Sequence, residues 1–236
     1  MRATRRFLSS TAAAELSDRG RAAGLKFFQF SFSDLFGVQR SKLVPASRVQ
    51  EIAEGGAGFA GFAAHLDMDP TMGDLLAVPD AATLTPLPWR KEVGWLSCNL
   101  VHEDAELAHG PRNVLRSVQA KLAAEAGLTL KSGVECEFFL VDAAPRPPPP
   151  DGGAAAVADP MDVQSKPCYD AHALMRRYDL ISTLCEHMEA LGWGPYQADH
   201  EDRTPTQTPT RILTRTRSHA LTLTLPGGPR GRQRPV

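Results

Sequence analysis

Apolar and polar positions change period along this chain, and each change predicts an element. From Thr11 to Ala23 the residues are alanine-rich and charged, which suits a short helix ended by Gly24. Leu25 to Phe32 and Val38 to Val44 read as strands. A polar turn around Ser33-Asp34 separates them, so the pair predicts a hairpin. Ala46 to Glu54 reads as a helix closed by Gly55-Gly56, and Leu75 to Val78 and Val93 to Leu100 supply further strands. Strands mixed with a single helix predict a compact α+β unit ending near Asp104.

A second unit begins at Gly110-Pro111, where proline can occupy the first turn of a helix. Val114, Leu115, Val118, Leu122 and Ala126 recur at helical spacing until Gly127 stops the run. Gly133 to Leu140 reads as a strand. Ala144 to Pro160, with four consecutive prolines, reads as a flexible or polyproline-like insertion. Asp170 can cap a helix whose stripe is Ala173, Leu174, Tyr178, Ile181, Cys185, Met188 and Leu191, and Gly192 ends it. Tyr196 to Asp202 reads as a strand with Glu201 at its end. Arg203 to Val236 is mostly threonine, proline, arginine, leucine and glycine, without acid or aromatic residues. It reads as a divergent, disordered tail.

Composition narrows the function classes. The 236 residues can hold one large domain or two small ones, and 42% apolar content allows a sizeable core. A net charge of -1 builds no field for nucleic acid or an anionic membrane. No apolar run reaches the length of a transmembrane helix. The four cysteines, Cys98, Cys136, Cys168 and Cys185, form no C-x-x-C pair, so they read as free thiols in a reducing compartment. Met1 to Thr11 carries three arginines, several hydroxyls and no acid, the composition of a mitochondrial or other organellar address. Without such an address the setting is cytoplasmic.

The candidate chemistry lies in Val134-Glu135-Cys136-Glu137-Phe138. Side chains alternate across a strand, so Glu135 and Glu137 share a face. Two adjacent carboxylates stay ionised in a buried site only beside a compensating cation. Hard oxygen ligands suit Mg2+ or Mn2+ better than zinc. A solvated strand face with two surface glutamates satisfies the same spacing. Arg40 and Lys42 share a strand face and read as solvated charges. His200 faces away from Glu201 and reads as a hydrogen-bonded structural residue.

Around these glutamates lie Asp34-Leu-Phe-Gly-Val-Gln-Arg-Ser-Lys42, Ala77-Val-Pro-Asp80, Leu87-Pro-Trp89, Lys166-Pro-Cys-Tyr-Asp170 and Leu191-Gly-Trp-Gly-Pro-Tyr-Gln-Ala-Asp-His-Glu-Asp202. In this order the set resembles the glutamine synthetase family, and within it the type III, γ-glutamylmethylamide synthetase-like branch. The resemblance runs from about Leu25 to Asp202. It implies an N-terminal extension at 1–22 and a β-grasp-like domain at 23–104. A partial catalytic α/β domain follows at 110–202, interrupted at 144–160, and then the tail at 203–236. It also implies an ATP-dependent ligase using Mg2+ or Mn2+. Such a ligase joins glutamate to ammonia or a small alkylamine through γ-glutamyl phosphate. Glu135, Glu137 and Glu201 are the implied metal ligands, and full-length members form homo-oligomeric rings.

Two departures follow from the resemblance. The family's Phe-Asp-Gly-Ser-Ser segment, whose aspartate helps hold ammonium, is matched here by Phe59-Ala60-Gly61-Phe62-Ala63. An alanine at that point favours a larger, less polar amine. The family's Ala-Asn-Gly-Gln-Phe-Glu after the Asp-His-Glu strand becomes Arg203-Thr-Pro-Thr-Gln-Thr208, which removes the next glutamate ligand. The resemblance therefore leads to an inactive fragment truncated after Asp-His-Glu. Its alternatives are a non-catalytic assembly partner of a full-length homologue, or an unstable frameshift or gene-model product.

Overall fold

The computed structural model describes residues 7–133, 135–140, 164–201, 210–216 and 222–224; for 210–216, 222–224, Glu135, Cys136 and Phe139 the description is of the backbone. The 144–160 insertion and the remainder of 203–236 lie outside the described residues. The chain divides into two compact units: the first runs through Thr129 and takes in Thr224, and the second spans Leu130–Leu223.

The first unit opens with α1 (Ser10–Ala22). The hydroxyl of Ser9 accepts the Ala12 N–H at 3.2 Å, capping the start, and Gly24 takes a left-handed φ of 69° just past the end. Ala13, Leu16 and Gly20 are buried on one side. Gly20 is required by close approach, since a Cβ there would lie 2.1 Å from Cζ of Phe28. The hairpin follows as β1 (Phe27–Ser33) and β2 (Gln39–Pro45), in register from Phe27 opposite Pro45 to Ser33 opposite Gln39. Phe28, Phe30 and Phe32 are buried at period two, which anchors that register.

Buried Asp34 organises the turn. Its Oδ1 accepts the N–H groups of Phe36 and Val38, both at 2.9 Å, and its Oδ2 accepts from Arg40 Nε at 2.9 Å. Arg40 is thus a partner of Asp34. Lys42 donates to the Gly58 carbonyl and lies 4.8 Å from the centre of the Phe59 ring. Neither is the free solvated charge expected, because the turn and a neighbouring strand offer each a partner.

A 3-10 turn leads into α2 (Val49–Gly55). Then come β3 (Ala57–Phe59), β4 (Leu75–Pro79), β5 (Thr85–Leu87), β6 (Arg90–His102) and β7 (Ala105–Glu106). The sheet runs β2-β1-β6-β4-β3, with β5 and β7 added along β6. Only the β1–β6 pairing is parallel among these. Next is α3 (Pro111–Ala126), with Pro111 at its start and Gly127 left-handed at its end. In the sequence reading this helix falls within 110–202; here it packs in the first unit on β1 and β6. Buried Asn113 donates to the carbonyls of Leu100 and Leu107, both at 2.9 Å, and Arg112 donates to Asp80 at 2.6 Å.

Strand β8 (Thr129–Lys131) precedes β9 (Glu135–Leu140). In the second unit, α4 (Ala171–Arg176), α5 (Tyr178–Ala190), β10 (Pro195–Glu201) and β11 (Thr210–Thr216) follow β9. Asp170 caps α4 as expected, its Oδ1 accepting the Ala173 N–H at 2.7 Å. The single helix expected after it is two, broken at Arg177, whose φ of −111° and ψ of 16° leave the helical region. Both helices pack on β10. The short β12 (Thr222–Thr224) pairs with β8.

Within 203–236, read from composition as a tail, Thr210–Thr216 is a strand. That stretch is the middle strand of a β10-β11-β9 sheet, antiparallel on both sides. Thr210, Ile212, Thr214 and Thr216 are β-branched, and two strand edges are there to pair with them. A composition-based reading judged the segment without those edges. No helix among the described residues is long and apolar enough to cross a membrane.

Candidate functional site

The predicted glutamates occupy the outer strands of the three-stranded sheet. The register aligns Glu135 with Arg215 and Gln197, Glu137 with Leu213 and Asp199, and Phe139 with Arg211 and Glu201. These rows share one parity. Rows of the other parity include Phe138, Ile212 and His200, and Cys136, Thr214 and Ala198. The apolar row explains the register: Phe138 is half-buried and His200 is 1% exposed, so a one-residue slip would carry that row to the polar face.

Glu137 is exposed and Glu201 is half-buried. The Cys168 thiol donates to Oε2 of Glu201 at 3.3 Å. The loop that carries Cys168 is pinned to β10 on both sides. His200 Nδ1 and the Pro167 carbonyl are 2.8 Å apart, and the Tyr169 N–H donates to the His200 carbonyl at 2.8 Å. His200 is thus the hydrogen-bonded structural residue expected. Tyr169 takes a left-handed φ of 63°, a strained setting for an aromatic residue that this double anchoring maintains.

The carboxylates have the hard-oxygen chemistry of a Mg2+ or Mn2+ site. Strand β11 separates β9 from β10, so Glu137 and Glu201 sit two strands and two residues apart, about 12 Å between Cα positions. Among the described residues no group of three His, Cys, Asp or Glu could hold a metal ion. The structure therefore gathers the three glutamates into one sheet and one register parity, without making their strands neighbours.

Sequence reasoning missed Cys168, although Lys166-Pro-Cys-Tyr-Asp170 was among the motifs it used. The Asp170 cap was legible; that the loop before it crosses β10 was not, because its partner His200 lies 33 residues beyond Pro167. It also missed Arg211 and Arg215. Arg211-Ile-Leu-Thr-Arg215 does not alternate apolar with polar residues, and only the neighbouring strands give those positions partners.

Comparison with known proteins adds to this geometry. Residues 108–216 match the family model described as glutamine synthetase, catalytic domain, a span that contains all three glutamates. The glutamine synthetase of Rhizobium meliloti (strain 1021) is 47% identical over 188 residues, 80% of this chain and 41% of the relative. The glutamate–methylamine ligase of Methyloversatilis universalis is 34% identical over 180 residues, 75% of this chain and 39% of the relative. A solved GmaS/ADP complex superposes with a TM-score of 0.75 at 47% identity, covering 87% of this chain and 44% of that one. Apo GmaS gives the same TM-score and identity, with 45% of its length covered. The chain thus spans less than half the length of these relatives.

Proposed function

The chain belongs to the glutamine synthetase family, and on that premise we propose that it derives from an ATP-dependent ligase. That ligase joins glutamate to ammonia or a small alkylamine through γ-glutamyl phosphate. The observation that carries this reading is the 108–216 match, which runs through Glu135, Glu137 and Glu201. The ADP in a similar GmaS structure supports a nucleotide substrate. Members of the family use divalent metal, which supplies charge neutralisation during phosphoryl transfer. The hairpin, the helix after it and the parallel β1–β6 pairing support a β-grasp-like first domain. Ala60, at the start of a short 3-10 turn, supports an alkylamine over ammonia.

On its own the 236-residue chain does not turn over. Thr208, which stands where the resembled family has its next glutamate ligand, supports this. The test is a chimera in which residues 25–201 replace the matching segment of the Rhizobium meliloti relative. The chimera is expected to release ADP in a glutamate- and amine-dependent way, with a higher kcat/KM for methylamine than for ammonia. The isolated chain should release none. A folded but inactive chimera defeats the ligase reading, and a preference for ammonia defeats the amine assignment.

An assembly role is the second reading, favoured by one feature. Val114, Leu115 and Val118 leave an exposed apolar row on α3, at 42%, 54% and 58% exposure. Co-expression with a full-length homologue should then yield a mixed oligomer by native mass spectrometry. Strict separation of the two chains removes this reading.

A further inference from the structure

We propose that Cys168 is a positioning residue: from a loop locked to His200, its thiol fixes the direction of the Glu201 carboxylate while leaving its charge intact. What Glu201 does in a ligase reaction rests on the family reading above. The grip on it rests only on hydrogen bonds within this chain.

The loop holds the end of β10 at three places. His200 Nδ1 and the Pro167 carbonyl meet at 2.8 Å, and the Tyr169 N–H donates to the His200 carbonyl at 2.8 Å. Between those two anchors lies Cys168, whose thiol donates to Oε2 of Glu201 at 3.3 Å. Side chains alternate across a strand, so His200 and Glu201 leave β10 on opposite faces. The loop therefore reaches both faces of one strand. The two anchors are enough to secure it, since His200 and Pro167 are both buried. The third contact is left over from that task, and of the three it alone engages an acid.

The rest of the loop holds the thiol in place. Tyr169 turns the chain with a left-handed φ of 63°, a setting that persists only where the surroundings over-determine the backbone. Immediately after it, Asp170 Oδ1 accepts the Ala173 N–H at 2.7 Å, so the far end of the loop is fixed to α4. Cys168 and Glu201 are both half-buried, which leaves their contact within reach of a ligand. The donor also suits the role. An arginine or lysine in that place would neutralise Glu201. A thiol is a weak, neutral donor, so it aligns one oxygen and leaves the carboxylate anionic.

The experiment uses the full chain and reads side-chain 13C relaxation of Glu201, its signal identified with Glu201→Gln. Cys168→Ala should lower the Glu201 side-chain order parameter by at least about a third, with Glu186 on α5 unchanged and Tm within about 3 °C of wild type. Cys168→Ser keeps a donor and should restore most of the order. An unchanged Glu201 in folded Cys168→Ala overturns the proposal, as does an equal loss at Glu186. Should Cys168→Ala fail to fold, the infrared S–H stretch decides: Glu201→Gln should move the Cys168 band to higher frequency, and an unmoved band overturns the proposal. In the chimera described above, Cys168→Ala should lower kcat at least about tenfold while KM for ATP changes less than about twofold, and Cys168→Ser should recover kcat. An active chimera indifferent to Cys168→Ala overturns this proposal alone. An inactive chimera, beside a full chain in which Cys168→Ala loosens Glu201, defeats only the ligase reading.

Discussion

The two sheets of this protein hold together by different means. In the first unit Leu16, Phe28, Phe30, Leu66, Leu75 and Leu96 are fully buried side chains in one core that α1 and α2 help close. In the second unit the buried side chains among the described residues are Pro167, Ala173, Met188 and His200. Its helices keep Met175, Tyr178 and Leu180 exposed. The second sheet is instead held by antiparallel pairing on both sides of β11 and by a loop tied to β10 at His200. One region should answer to changes of side-chain volume far more than the other.

The sharpest test of that contrast is a pair of truncations. Phe30→Ala in the first core should cost about 3–5 kcal/mol, while Leu180→Ala on α5 should cost less than about 1 kcal/mol, both read by urea denaturation. Comparable losses would show that the second unit also depends on apolar burial. Gly20→Ala comes next. Alanine is the better helix former, yet its Cβ would meet the Phe28 ring, so a loss of about 1–3 kcal/mol is expected. A gain in stability would mean that the α1 packing is looser than it stands here.

Asn113→Ala should cost about 1–3 kcal/mol, since it leaves the Leu100 and Leu107 carbonyls without the donor that ties α3 to the first sheet. Protection of α3 amides in hydrogen exchange should fall selectively. A uniform fall across both units would indicate that the tie is not local.

The smallest effects are those of pH, and they carry opposite signs at two groups of the first unit. Burial pushes the Cys98 thiol from 9.0 up to about 12, against the opposing influence of a Ser31 backbone hydrogen bond and of Arg112. Below pH 9.0 the thiol is protonated in both folded and unfolded chains and its contribution is complete; it declines as pH rises from 9.0 towards about 12. At Asp34 burial favours the neutral acid. The Arg40 hydrogen bond, the Val38 and Phe36 N–H groups and the Arg40 charge together outweigh it, holding the carboxyl below 3.8. Its contribution is complete above pH 3.8 and is lost as pH falls through the folded-state value. Denaturation midpoints should therefore fall at both extremes. Cys98→Ala should flatten the alkaline limb and Asp34→Asn the acid limb; unchanged limbs would place the titration elsewhere.

Local patterns were legible because neighbouring residues decide them. Gly24 and Gly127 end their helices, Asp170 caps α4, and the alternating phenylalanines of β1 choose their own face. The ordered motifs from Asp34 to Glu201 likewise announce the family, since order along a chain survives without coordinates. Other features depended on partners distant in sequence. The parallel pairing of β1 with β6 joins residues 66 positions apart, and nothing in Phe27–Ser33 names that neighbour. The break at Arg177 divides a stripe whose helical periodicity runs unbroken in sequence. The Cys168–Glu201 hydrogen bond spans 33 positions. Above all, Thr210–Thr216 carries no signal of its own strong enough to call a strand, yet between β9 and β10 it finds partners on both edges. Caps and alternation are settled within a few residues, whereas strand order is a competition among edges that only the folded chain brings together.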